Sequence, residues 1–102
     1  MNNTTTILFI EDDVAIRRLI EFKFTSAGYR VLLAQNGEEG LNFAQAEKPQ
    51  LILLDLLLPK LNGAEVLRRL KQDDGTKNIP VIIFSNLSGD ADRENTLRLG
   101  AV

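Results

Sequence analysis

Apolar residues come in four short blocks, each ending on polar side chains. The first is Ile7-Leu8-Phe9-Ile10, cut off by Glu11-Asp12-Asp13. The second, Tyr29 to Ala34, is less apolar. The third, Leu51 to Leu54, runs into Asp55, and the fourth, Val81-Ile82-Ile83-Phe84, delivers Ser85-Asn86. Continuous apolar runs of this length predict strands buried on both faces, as in parallel sheets, and the weaker second run suits a sheet edge. Between them the period changes from continuous to helical. Ile16, Leu19, Ile20, Phe24 and Ala27 recur at helix spacing, with Asp13 as a cap and Gly28 as the stop. Asn36-Gly37 turns into a second helix over Glu38 to Glu47, with Leu41 and Ala44 inward and Pro49 ending it. Ala64 to Gln72 carries Val66, Leu67 and Leu70 on one face, Asp73-Asp74-Gly75 is a loop, and Asp90 to Leu99 predicts a fourth helix stopped by Gly100. Strand alternating with helix means βαβ units, hence an α/β parallel sheet with helices on both faces and right-handed crossovers.

Such a sheet brings every strand tip to one side, where open α/β folds bind their ligands. Pro59 cannot donate to a sheet ladder, so the third strand is over before it and Asp55 stands at its carboxyl end. A buried apolar strand has no structural use for a carboxylate there, which makes Asp55 the candidate reactive residue. The first strand adds Glu11 and Asp12, and the fourth adds Ser85. Each acid alone reads equally well as a helix cap or a solvated loop residue; the three together do not. At ~4 Å and an effective dielectric near ~20, each pair of carboxylates costs about 4 kcal/mol, so the group calls for a cation. With oxygen ligands only, the expected cation is hard and divalent, Mg²⁺ keeping several waters. A carboxylate beside Mg²⁺ can accept a phosphoryl group by in-line attack.

Composition narrows the alternatives. The 102 residues suit one domain, with 44% hydrophobic and 25% charged side chains. A formal charge of −2 argues against a direct nucleic-acid or anionic-membrane surface, and Arg17, Arg18, Arg68 and Arg69 read as solvated helix faces. With no cysteine and no histidine, thiol chemistry, imidazole bases and a phosphohistidine on this chain are excluded. Residues 1–6 are polar and predict a flexible N-terminus without the pattern of a signal peptide, and no apolar run approaches the ~18 residues of a membrane span. A cytoplasmic protein is the expectation.

These residues resemble the receiver domain of two-component response regulators. An acidic pair closes the first strand (Glu11, Asp12), the phosphoacceptor closes the third (Asp55), and a proline follows four residues later (Pro59). A Ser or Thr closes the fourth strand (Ser85), and Asn62-Gly63 forms the turn before the third helix. The resemblance covers Ile7 to Val102. It implies a flavodoxin-like, doubly wound sheet of order 2-1-3-4, with the family's fifth strand, its lysine and its fifth helix lying beyond Val102. It also implies a phosphoacceptor domain rather than an enzyme. Asp55 would take a phosphoryl group from the phosphohistidine of a sensor histidine kinase or phosphotransfer protein. Asp12 and Asp55 would bind Mg²⁺ with the backbone carbonyl of Leu57, Glu11 would act through water, and Ser85 would contact the phosphoryl oxygens. Phosphorylation would then shift a two-state equilibrium.

Further expectations follow from this sequence. Leu57, two residues past Asp55, cannot orient an attacking water, so an acyl phosphate should hydrolyse slowly. A carboxylate phosphatase would want a second acid at that position, which speaks against that enzyme. A nucleotide- or flavin-binding version of the fold would want glycines after the first strand, where this chain is acidic. Without a fifth strand and helix, the fourth strand is an exposed edge and the first helix lacks a neighbour. A homodimer, segment exchange through that edge or only marginal stability is the expected outcome. The rival functional reading is a receiver-like interaction module that no longer accepts phosphate.

Overall fold

The computed structural model describes residues 4–55 and 62–84. Strands β1 (Thr6–Ile10), β2 (Arg30–Ala34), β3 (Leu51–Asp55) and β4 (Val81–Phe84) alternate with helices α1 (Val14–Ser26), α2 (Gly37–Glu47) and α3 (Gly63–Gln72). All strand pairs are parallel, in the order β2-β1-β3-β4. The doubly wound α/β sheet expected from the sequence is therefore present. The expected fourth helix, Asp90 to Leu99, together with Leu57, Pro59 and Ser85, lies outside the described residues.

Register sorts the side chains into two faces. Leu8 pairs with Leu32 and Ile52, Ile52 with Val81, Ile10 with Ala34 and Leu54, and Leu54 with Ile83. Leu8, Ile10, Ala34, Ile52, Leu54 and Val81 form one buried cluster with Leu41 and Ala44 of α2 and Val66, Leu67 and Leu70 of α3. These are the inward positions the helical spacing predicted. The opposite face carries Ile7 and Phe9, both buried. Here the crossover from β1 to β2 lays α1, because the chain winds one way to β2 and the other way to β3.

The caps explain where the helices begin. Asp13 Oδ1 accepts from the amides of Ala15 and Ile16. Asn36 and Asn62 each accept, through Oδ1, from the amide three residues on, Glu39 and Glu65. The two asparagine caps set α2 and α3 one residue earlier than the expected starts at Glu38 and Ala64. Gly28 takes φ +97 in the turn out of α1, the left-handed region that glycine enters without strain. Tyr29, expected within the second strand, belongs to that turn, its ring edge-on to Phe24 at 6.0 Å.

Helix α1 is the least covered of the three helices. Its apolar residues recur at helical spacing as expected, yet none of its residues is buried, and Leu19 and Phe22 are 53% and 72% exposed. Ile20 and Phe24 are half-buried, while Ile16 is exposed. Helix α1 packs chiefly on β2, the edge strand, and a helix over an edge can bury only one flank of a wide apolar stripe. On the other side, β4 is the outermost strand among the described residues, and Ile82 is 40% exposed.

Helix α2 approaches β1 closely at Gly40. A Cβ there would press on Ile10 Cδ1 and lie 2.8 Å from Ile10 Cγ1. Ile10 is fully buried and immediately precedes the acidic turn. Gly40→Ala gains helix propensity of up to ~1 kcal/mol but overpacks this contact by ~1–3 kcal/mol. We expect net destabilisation of up to about 2 kcal/mol in urea unfolding; a raised midpoint would contradict the packing.

Candidate metal and phosphoacceptor site

Strand order reverses between β1 and β3: the loop after β1 leads toward β2, whereas β3 lies on the opposite side. The two loops diverge and leave a crevice at the carboxyl ends. Ile10 pairs with Leu54, so the next residues along each strand, Glu11 and Asp55, come side by side. The carboxylates of Glu11, Asp12 and Asp55 each offer an oxygen, and these atoms lie within 4.8 Å of one another. Glu11 is 3% and Asp55 8% exposed, whereas Asp12 faces solvent. The convergence expected from the sequence is thus present for all three acids. The two other expected site groups, the Leu57 carbonyl and Ser85, lie outside the described residues.

The turn carrying two of these acids is tightly held. Glu11 N donates to Ala34 O at 3.0 Å, which continues the β1–β2 ladder by one residue. Asp12 N donates to Glu11 Oε2 at 2.9 Å, folding the Glu11 side chain back over the turn. Arg17 Nη1 donates to Glu11 O at 2.8 Å. This last contact departs from the sequence analysis, which placed Arg17 on a solvated helix face. The only signal in the sequence is a long cation on the second turn of the helix that follows the acids, a placement shared by Arg18, which is exposed.

Crowding shows in the electrostatics. The Glu11 carboxyl is pushed up to about 8 by its burial first. Hydrogen bonding with the side chains of Asp55 and Asp12 and the charge of Asp55 add to this, and the Asp12 amide works in the opposite direction. The protein's own groups therefore hold a proton on Glu11 at neutral pH. Oxygen-only ligands, two of them buried and one open to solvent, suit a hard divalent cation that keeps part of its water shell. The three carboxylates together fit an ion such as Mg²⁺ or Mn²⁺. Such an ion would offset the mutual repulsion and displace the Glu11 proton.

Comparison with known proteins agrees with the geometry. The family model for the response regulator receiver domain matches residues 7–102. A probable transcriptional regulator, ycf27, of Cyanophora paradoxa is 39% identical over 97% of this chain, which spans 40% of that relative's length. The Mn²⁺-bound form of the response regulator Rcp1 superposes with a TM-score of 0.85 at 31% identity, covering 95% of this chain and 76% of that one. The phosphorylated cyanobacterial phytochrome response regulator RcpA gives 0.87 at 33% identity, covering 96% and 76%. Among the described residues, no helix is long and apolar enough to cross a membrane.

Proposed function

Because this chain belongs to the response regulator receiver domain family of two-component signalling, we propose that Asp55 is its phosphoacceptor. A sensor histidine kinase or phosphotransfer protein in the cytoplasm is the donor, and Mg²⁺ the cofactor. One observation carries the reading: Glu11, Asp12 and Asp55 present oxygens within 4.8 Å of one another at the switch point of the sheet. Asp55 is buried at the end of a rigid strand, so one carboxylate oxygen is held in place for in-line attack. The oxygen forms a bond to phosphorus as the histidine nitrogen–phosphorus bond breaks, and the released imidazole takes up a proton. Asp12 and Asp55 would hold a divalent ion, whose chemistry when bound would be charge compensation for the transferring oxygens. By the family resemblance, Ser85 would contact the phosphoryl oxygens and the Leu57 carbonyl would join the metal ligands. Domain 7–102 then acts as a signalling element whose phosphorylated state favours one of two conformations, with no turnover of an external substrate.

The test uses acetyl phosphate and Mg²⁺ on the purified chain. Intact-mass measurement should show one added phosphoryl group, labile to hydroxylamine as an acyl phosphate is, and blocked by EDTA. Peptide mapping should place it on the segment containing Asp55. A hydroxylamine-stable adduct, or none with the site saturated by Mg²⁺, would favour the rival reading of a receiver-like module acting by protein contacts alone.

A further inference from the structure

We propose that Arg17 is a positioning residue for the metal site, acting through the main chain of Glu11 rather than through its own charge. The proposal rests on the divalent-cation reading of the Glu11, Asp12 and Asp55 cluster.

Arg17 is tied to the acidic turn at both ends. Its backbone amide donates to Asp13 O at 3.0 Å, the first hydrogen bond of α1. Its guanidinium reaches back past the helix start to Glu11 O at 2.8 Å. Among the described residues Arg17 forms no ion pair, although Glu11, Asp12, Asp13 and Glu21 lie within six residues of it in sequence. Its donor goes to a neutral main-chain oxygen instead. That oxygen belongs to the most buried of the three acids, on the residue whose amide makes the last rung of the β1–β2 ladder to Ala34 O. An unpaired carbonyl in that position would turn toward water, rotating the 11–12 peptide with it. The rotation would carry off the Asp12 amide that holds Glu11 Oε2, and with it two of the three carboxylates. Outer contacts of this kind commonly hold metal ligands in orientation.

Charge and position make opposite predictions, so the two roles separate cleanly. A cation near a divalent-ion site repels the ion, and removing it by Arg17→Met should tighten binding if charge were its only influence, more so at low salt. A positioning role predicts the reverse. We expect Arg17→Met to bind Mn²⁺ about tenfold more weakly than the parent, as read from the electron paramagnetic resonance signal of free Mn²⁺ at pH 8.5. Arg17→Lys, which keeps a charged donor on a long stem, should recover most of that loss although it leaves the nearby charge unchanged. A role confined to stability would lower the melting temperature and leave the Mn²⁺ affinity of the folded protein where it was. Equal or tighter Mn²⁺ binding by folded Arg17→Met therefore overturns the proposal. Should Arg17→Met not fold, Arg17→Gln decides in the same way, with weaker binding in support and equal or tighter binding against. A parent chain that binds no Mn²⁺ would overturn the metal reading itself and this inference with it, an outcome distinct from a difference between variants.

Discussion

Asp55→Asn is expected to take up no phosphoryl group from acetyl phosphate and Mg²⁺ under conditions that modify the parent chain. The amide has no anionic oxygen to attack phosphorus, and no other described acid has the same placement. Glu11 holds its proton at neutral pH, and Asp12 faces solvent on a turn rather than ending a buried strand. Divalent-cation affinity should fall by more than about tenfold, since even outer-shell partners are worth that much. Stability should move the other way. In EDTA at about pH 9, above the Glu11 transition near 8, Asp55→Asn removes a carboxylate packed against Glu11, a repulsion on the order of 1–4 kcal/mol. The variant should therefore unfold at higher urea than the parent, and Mg²⁺ should shift its midpoint less. Mass spectrometry and paired urea titrations read both effects. A phosphorylated Asp55→Asn chain, or one destabilised in EDTA, would show that Asp55 is neither the nucleophile nor a member of a repelling cluster.

Stability in EDTA is expected to fall as pH rises from about 5 to 8, contrary to the usual behaviour of a carboxylate. Glu11 titrates near 4.5 when unfolded and near 8 in the fold. Between those values the native state binds the extra proton, so raising pH favours unfolding by up to about 1.4 kcal/mol per unit. The contribution is complete below 4.5 and gone above 8. Glu65, whose carboxyl Arg68 and Arg69 hold down to about 2, acts with the opposite sign, but only below 4.5, so the window from 5 to 8 reports Glu11. Mg²⁺ should reverse the slope, because binding displaces that proton: affinity should climb up to about tenfold per pH unit and level off near 8. Glu11→Gln should flatten both dependences, stabilising the metal-free protein at pH 8 while leaving it with weaker Mg²⁺ binding. Urea midpoints at pH 5, 6, 7 and 8, with EDTA or Mg²⁺, test the pair. A flat midpoint in EDTA would mean that Glu11 is not buried against Asp55.

Local chemistry made much of this legible beforehand. The runs Ile7–Ile10, Leu51–Leu54 and Val81–Phe84 can satisfy their apolar character only in a sheet covered on both sides, and Pro59 fixes where the third run must stop. Asp13 is a helix cap in sequence and in structure for the same reason, a carboxylate oxygen within reach of free amides. Helix α1 was harder to read. Its spacing shows that an apolar stripe exists and gives no sign of what it meets, and over an edge strand most of that stripe stays exposed.

By itself, then, the sequence determined the alternation of strand and helix, the strand tips on which the acids sit, and the oxygen-only chemistry that calls for a divalent ion. Each of these depends on neighbours along the chain or on the side chains available. Only the tertiary structure decided that Glu11 rather than Asp12 is the buried acid that keeps a proton, that Gly40 gives Ile10 its space, and that Arg17 reaches back to the Glu11 carbonyl. Burial, close approach and the field of neighbouring charges are set by residues far apart in sequence, and they take their values only once β3 lies against β1.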